Sequence, residues 1–300
     1  MNKGSDAYDY KNRVLYNFWL HHFPRIWKEG LEQFVTCGGT FKLEQCEIVP
    51  RDENKDGKTV MNRHLFFRTP EELFTYCVKW KPLTLQLGGI YPITYPELDD
   101  YACKEADNQL IKVGATTTQK PFVLDFDMDE KLPRSGICQC VKTETCVLCW
   151  DYYLHSTRLI VDFLLRNVCK MRKISHFWSG RRGLHIWCHD PQAIAWSKEE
   201  RANVMKVFTN RDAVVHLLPL ELQQLPWPQF DVAVSVDQRH CIGLPLLPHH
   251  STKCIRRMLP LLSDPTKFDP RASLAQARVS SISLDEFQFQ VKMMNRILNE

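Results

Sequence analysis

The stretch PFVLDFDMDE, residues 121–130, decides the fold class and the chemistry of this 300-residue chain. Its residues alternate with the two-residue period of a β-strand. The apolar side chains share one face: Phe122, Leu124, Phe126 and Met128. The carboxylates share the other face: Asp125, Asp127 and Asp129. Like charges this close repel one another, and a pair of divalent cations relieves that repulsion and can serve phosphoryl transfer. The alternative is a solvent-exposed acidic edge that deters strand pairing.

A second segment, QFDVAVSVD at residues 229–237, repeats the alternation. It predicts a strand with valines on one face and Asp231 on the other. On a neighbouring strand, Asp231 would complete a site of three aspartates for the metal ions.

The segment SGRRGLH, residues 179–185, predicts a tight turn between two strands. Arginine offers a planar, permanently charged fork that matches phosphate oxygens, and flanking glycines let the backbone approach a ligand closely. We therefore predict that Arg181, Arg182 and His185 clamp a triphosphate. The alternative is an ordinary hairpin turn with solvated arginines. Arg68, at the end of HLFFR, is a further candidate phosphate ligand, or else a simple surface charge.

Four of the twelve cysteines are clustered: Cys138, Cys140, Cys146 and Cys149. Four thiolates this close predict a tetrahedral Zn²⁺ site with no open position, and so a structural role. An iron–sulfur cluster is the competing interpretation, although such short spacings crowd it.

The composition limits the class of protein. An apolar fraction of 44% and a charged fraction of 25% are typical of globular domains, and they exclude disorder as the main character. The net charge of +4 suits a nucleic-acid partner without establishing one. The N-terminal residues do not form a secretory signal, and no apolar run approaches the roughly 20 residues of a membrane span. We expect no membrane partner, and a location in the nucleus, the cytosol or a viral replication site. The strand and helix patterns predict a mixed α/β (α+β) fold.

The order of these motifs resembles the small catalytic subunit of archaeal and eukaryotic DNA primase. The matching residues run from about Leu83 to His250, and SGRRGLHIW is the most specific part. The resemblance implies one primase catalytic domain over residues 1–300, made of helices packed on mixed sheets. It also implies a zinc-binding loop, the four-cysteine knuckle, inserted at 136–150 and a short helical insertion at 191–228.

The resemblance also implies roles for individual residues. Two Mg²⁺ or Mn²⁺ ions would bind Asp125, Asp127 and Asp231. The residues implied to bind the nucleotide are Arg68, Ser179, Arg181, Arg182, His185, His240 and His249. The family usually has a basic residue just after the position of His240, where this chain has Cys241-Ile242-Gly243. Arg239 or Lys253 would then supply the charge, or nucleotide affinity would be weaker.

The implied activity is the synthesis of short RNA primers from NTPs on a single-stranded DNA template. The implied partners are a large regulatory primase subunit and, through it, a replicative DNA polymerase. Two alternatives remain open. One is a primase-polymerase or repair polymerase that extends ends with dNTPs, and the other is a zinc-bearing scaffold subunit with weakened catalysis.

Overall fold

Two antiparallel sheets organise the chain in a computed structural model that describes residues 13–53, 58–63, 65–91, 118–128, 146–259 and 284–299. The first sheet has the order β2-β1-β3-β7. Its strands are β1 (Cys46–Glu53), β2 (Thr59–Met61), β3 (Thr84–Ile90) and β7 (Ile242–Gly243). The second sheet has the order β4-β6-β5-β8. Its strands are β4 (Phe122–Asp127), β5 (Ile174–Trp178), β6 (Gly183–Cys188) and β8 (Arg257–Met258).

Helices complete the mixed α/β class, which is confirmed. Those before β4 are Phe18–His22, Phe23–Ile26, Trp27–Leu31, Glu32–Val35, Leu43–Gln45 and Pro70–Trp80. Those between β4 and β6 are Val147–Cys149, Trp150–His155, Ser156–Phe163 and Leu164–Val168. Those after β6 are Pro191–Ala195, Lys198–Thr209, Arg211–Val214, Val215–Leu217, Leu220–Gln223, Val232–Val236 and Leu284–Asn299. Among the described residues, no helix has both the length and the apolar character that crossing a membrane requires.

The second sheet is buried on both faces, and its alternation sorts the side chains of β4 as predicted. Phe122, Leu124, Phe126 and Met128 belong to one hydrophobic cluster, here called the second core. Val123, on the opposite face, joins the other cluster, the first core, which also contains Trp19 and Leu85. The aspartates therefore point to the side on which the first sheet lies.

The helical segment of residues 191–228 is tied to β4 by a buried arginine. Arg201 is only 1% exposed. Its guanidinium donates hydrogen bonds to the carbonyl oxygens of Ala193 (3.1 Å) and Lys120. A buried guanidinium is tolerated because carbonyl oxygens satisfy its donors. The start of the acidic strand is thereby held against this segment.

The prediction of a strand at residues 229–237 is wrong, because Val232–Val236 is a short helix. Asp231 caps it, and its carboxylate accepts a hydrogen bond from the backbone N–H of Ala233 at 3.0 Å. Ser235 Oγ donates to the carbonyl of Val123 at 2.7 Å, which fixes the helix on β4. Phe230 keeps a single β-bridge to Phe126. Tertiary contacts outweigh the strand preference of the valines.

Candidate active site

The three predicted aspartates lie at one place although only two of them are on strands. Asp125 and Asp127 are two residues apart on β4, with side chains 21% and 52% exposed. The backbone N–H of Asp231 donates to the carbonyl oxygen of Asp125 at 3.0 Å. Asp231 therefore reaches the site through the β-bridge and helix cap rather than through a third long strand.

The electrostatics of this carboxylate group are unfavourable without a cation. The pKa of Asp125 is raised to about 8, chiefly by burial and next by the charges of Asp127 and Asp231. Asp125 Oδ1 is buried without a hydrogen-bond partner in the described part of the chain. The nearest basic group is His185 Nε2, at 3.6 Å. These carboxylates fit a divalent cation, which would satisfy the oxygen and relieve the repulsion.

The described residues contain no group of three or more His, Cys, Asp or Glu side chains already arranged to hold a metal ion. The fit of the site to metal thus rests on its donor chemistry: three carboxylates, one of them with a buried oxygen that lacks a partner. Asp129, the third acid of the strand motif, lies outside the described residues.

The glycine-bounded turn lies beside the aspartates. Gly183 pairs with Asp127 across the β4–β6 ladder. A Cβ at Gly183 would lie 2.2 Å from Asp127 Oδ1, so only glycine leaves room for that carboxylate. Arg182 Nε is 3.7 Å from Asp127 Oδ2. Burial raises the pKa of Asp127, and the charges of Arg182 and Arg181 offset part of the rise.

Ser179 closes the turn. Its backbone N–H donates to the Gly183 carbonyl at 2.9 Å, and its hydroxyl oxygen accepts from the Gly183 N–H at 3.1 Å. The hydroxyl proton is left to donate to a ligand. Gly180 adopts a φ of 84°, which favours glycine, and a Cβ there would lie 2.9 Å from the Cβ of His249.

Two predicted histidines, His185 and His249, flank the turn as neutral imidazoles. His185 pairs with Asp125 in the β4–β6 register, and burial lowers its pKa to about 3. His249 Nδ1 accepts from the backbone N–H of Ser251 at 3.2 Å, so the proton of the neutral ring is assigned to Nε2. Each ring can thus present an N–H donor without adding charge.

A basic cleft of about 350 Å³ lies beside this group of residues. Its lining residues are Arg51, Met61, Arg63, Gln86, Asp237, Arg239, His240 and Cys241. Two of the predicted nucleotide ligands, Arg239 and His240, are among them. Burial lowers the pKa of His240, the charge of Lys120 lowers it further, and the nearby carboxylate of Asp231 opposes both effects.

Arg63 lines this cleft, whereas Arg68 is exposed at the start of the helix Pro70–Trp80. Arg63 is held by a bidentate ion pair with the fully buried Glu47, with Nε–Oε1 at 2.9 Å and Nη2–Oε2 at 3.1 Å. A Cβ at Gly88 would lie 2.1 Å from Glu47 Oε2, so this glycine makes room for the carboxylate. Arg63 was not among the residues predicted for the site. Two features of the sequence could have indicated this ion pair: Glu47, an acid within the apolar segment CEIVP, and the adjacent glycines Gly88 and Gly89.

Two further buried cations near the carboxylates were also missed, Lys120 and Arg256. Lys120 is 1% exposed and its ammonium donates to the carbonyl of His240. The pKa of Lys120 is lowered to about 7, chiefly by burial and next by the charge of Arg201. Lysine and arginine at buried positions give no periodic signal, so only the folded structure reveals them.

Half of the predicted zinc ligands can be placed. The Sγ atoms of Cys146 and Cys149 are 3.7 Å apart. This spacing is close to the edge of a tetrahedron with metal–sulfur bonds of about 2.3 Å. Cys138 and Cys140 lie outside the described residues.

The fold and site define a class of protein in which carboxylates of one strand oppose a glycine-bounded arginine turn, a charge arrangement suited to a metal-bound polyphosphate. Residues 124–259 match the family described as DNA primase small subunit, and this span contains the turn and all three placed aspartates. The resemblance inferred from the motifs is thereby confirmed.

Individual relatives agree with this family. The DNA primase small subunit of Drosophila melanogaster is 29% identical over 131 residues, which are 44% of this chain and 27% of the relative. That of Saccharomyces cerevisiae is 27% identical over 209 residues, which are 67% of this chain and 43% of the relative. The chain thus spans less than half the length of these curated relatives.

One solved structure is similar over most of the chain. The polymerase domain from Mycobacterium tuberculosis Ligase D, in complex with DNA, superposes with a TM-score of 0.49 at 12% identity. The superposition covers 92% of this chain and 91% of that one.

Proposed function

We propose that this chain is the catalytic subunit of a DNA-directed RNA primase, a nucleotidyltransferase that makes short RNA primers on single-stranded DNA. The observation that carries the proposal is the meeting of Asp125, Asp127 and Asp231 opposite the arginine turn, within the span that matches the primase family. This arrangement joins a cation site to an anion site, as in-line phosphoryl transfer requires.

Asp125, Asp127 and Asp231 would hold two divalent cations, Mg²⁺ or Mn²⁺, and the bound metal would lower the pKa of the primer 3′-hydroxyl and neutralise charge on the triphosphate. The chain's own side chains then position the nucleotide. Arg181 and Arg182 match the phosphate oxygens with their planar forks, and Ser179, His185 and His249 add neutral donors around them. Positioning and charge stabilisation supply most of the rate.

Cys138, Cys140, Cys146 and Cys149 would bind a structural Zn²⁺ ion, a proposal supported by the 3.7 Å spacing of Cys146 and Cys149. We expect Cys149→Ser to lower zinc content and thermal stability while Mn²⁺ affinity at the aspartates stays the same. Zinc content is measured by atomic absorption and Mn²⁺ binding by electron paramagnetic resonance. A zinc-free chain that melts like the wild type would contradict the structural role.

The partners follow from the family. We propose a single-stranded DNA template held through its backbone by basic and aromatic surface, a large regulatory primase subunit, and a replicative polymerase acting through that subunit. The corresponding location is the nucleus or a viral replication site.

The test is synthesis without a supplied primer. Purified chain, single-stranded DNA and labelled ribonucleotides are incubated with Mg²⁺ or Mn²⁺, with deoxynucleotides in a parallel reaction. New short RNA supports the proposal, and Asp127→Asn should abolish it while the melting curve stays unchanged. Extension of supplied ends with deoxynucleotides alone would replace the proposal with a primase-polymerase. A failure in every combination, with the large subunit added, would indicate a scaffold.

A further inference from the structure

Arg256 is a buried arginine, and among the described residues only one end of its guanidinium has hydrogen-bond partners. The residue is 3% exposed. Nη1 donates to Thr84 Oγ1 at 3.0 Å and to the Pro248 carbonyl at 2.8 Å. Nε is buried, and neither it nor Nη2 donates to any residue in the part of the chain that the structure describes. A buried donor without a partner destabilises a fold unless an ordered water or a ligand supplies the acceptor.

Gly243 explains where this guanidinium lies. A Cβ at residue 243 would lie 2.3 Å from Arg256 Cζ and 2.4 Å from both Nε and Nη2. The φ of Gly243 lies outside the left-handed region, so its backbone does not itself require glycine. Glycine is therefore needed because the Arg256 side chain fills the space that a side chain at residue 243 would take.

The guanidinium lies close to the candidate active site. Burial raises the pKa of Asp125, and the charge of Arg256 opposes that rise. Burial lowers the pKa values of His185 and His249, and in both cases the charge of Arg256 is the next largest cause. Among the described residues, Arg256 and Asp125 nevertheless form no ion pair, and Asp125 Oδ1 lacks a hydrogen-bond partner. Asp125 therefore acts on Arg256 through its charge but does not take up the Nε or Nη2 donors in the described part of the chain.

We infer that Arg256 binds the triphosphate of the incoming nucleotide, with Nε and Nη2 donating to its oxygens from the place where a side chain at residue 243 would lie. The inference rests on the proposed nucleotidyl transfer. A planar fork with two parallel donors matches a phosphate better than any other common anion except a carboxylate. The chain thereby replaces the basic residue that it lacks at residues 241–243 with one from the segment before β8, and neither Arg239 nor Lys253 is needed for that role.

The test measures binding of inorganic tripolyphosphate in the presence of Mg²⁺ by isothermal titration calorimetry, which does not depend on catalysis. We expect Arg256→Gln to weaken binding about 10- to 100-fold, because hydrogen bonds from a charged donor are lost. Arg257→Gln is the matched control. Arg257 is the neighbouring residue, carries the same charge and is 5% exposed, but it pairs with Trp178 of the second core. The Arg257→Gln variant should bind tripolyphosphate as tightly as the wild type does.

Two further variants keep the test decisive if Arg256→Gln does not fold. Arg256→Lys keeps a charge while losing the fork, and it should bind less tightly than the wild type. The double variant Arg256→Ala/Gly243→Lys returns a basic side chain to residue 243, and it should recover binding relative to Arg256→Ala.

The inference is overturned if folded Arg256 variants bind tripolyphosphate like the wild type, or if Arg257→Gln weakens binding equally. It is also overturned if the variants lose affinity for single-stranded DNA instead, since Arg256 would then contact the nucleic-acid backbone. A wild-type chain that binds tripolyphosphate through Arg256 but makes no primer would refute the proposed function alone. A chain that makes primers but whose Arg256→Gln variant binds normally would refute only this inference.

Discussion

The two sheets contribute to the same site in different ways. The second sheet carries Asp125 and Asp127 on one strand, His185 on the strand paired with it, and the arginine turn between β5 and β6. Beside the first sheet lies Arg63, which pairs with the buried Glu47 of β1 and whose Nη2 donates to the carbonyl of Arg239, 176 residues away. The second sheet thus supplies groups that await a ligand, whereas the charges of Arg63 and Glu47 are already paired by the fold. Acids in the two sheets should therefore respond differently to substitution.

The largest expected effect is on stability, in the first sheet. Arg63→Leu removes the bidentate ion pair that Arg63 makes with the fully buried carboxylate of Glu47, and it should lower the free energy of unfolding by about 3–5 kcal/mol. Urea unfolding followed by tryptophan fluorescence measures the change. The double variant Arg63→Leu/Glu47→Gln should recover part of the loss because the buried charge is gone. If the double variant is no more stable than Arg63→Leu, the ion pair is not what holds β1.

The same contrast explains which parts of the fold and of the site could be predicted from the sequence. Strand β4, the hairpin of β5 and β6 and the glycine turn follow from periodicity and turn chemistry, which are local, so they were predicted correctly. Arg63 and Arg256 depend on long-range partners, and Arg256 bonds to Thr84 across 172 residues of sequence. Such contacts leave no period in the chain. The valines after Asp231 were misassigned as a strand because an aspartate cap and a tertiary hydrogen bond from Ser235 outweigh their propensity.

The next effect is on activity, in the second sheet. Asp125→Asn should reduce primer synthesis by about 10²–10³-fold, the usual loss when one group that stabilises charge in a transition state is removed. The melting temperature should stay equal or rise, because the neutral amide ends the repulsion with Asp127 and Asp231. Primer assays and thermal melts in the same buffer measure both. Asp212→Asn, at an exposed helix start, is the matched control, and an equal loss of activity in both variants would contradict the assignment.

A smaller effect tests how closely the turn approaches the acidic strand. Gly183→Ala places a Cβ against Asp127 Oδ1 and the Phe126 carbonyl, each 2.2 Å away, so the ladder must shift. We expect activity to fall by up to about 10²-fold and stability by about 1–3 kcal/mol. Gly39→Ala is the control. A Cβ at residue 39 would meet nothing within 4 Å, but φ there is +80°. Gly39→Ala should therefore lower the free energy of unfolding by about 1–2 kcal/mol through backbone strain and leave activity intact. Equal activities of the two variants would show that the carboxylate tolerates displacement.

The smallest expected effect concerns the seam where the second sheet meets the first core, and it depends on pH. His189 is 4% exposed, its Nε2 lies 3.0 Å from Ser175 Oγ, and its ring centroid is 4.6 Å from that of Phe34. The pKa of His189 is lowered to about 3, chiefly by burial and next by the charge of Lys173. Below pH ~6.5 His189 therefore becomes protonated in the unfolded chain but stays neutral in the folded chain. The free energy of unfolding consequently falls as the pH falls toward 3.

At pH 5 this one histidine should cost about 2 kcal/mol of stability relative to pH 7.5. His189→Gln should remove that part of the pH dependence, and its unfolding free energy should decline less steeply by about 1.4 kcal/mol per pH unit between pH 6 and pH 4. His216→Gln, at an exposed position, should keep the wild-type slope. Urea titrations at each pH measure the slopes. If the unfolding free energies of His189→Gln and the wild type decline in parallel, folding does not lower the pKa of His189. A protonated histidine would then be tolerated where the second sheet packs on the first core.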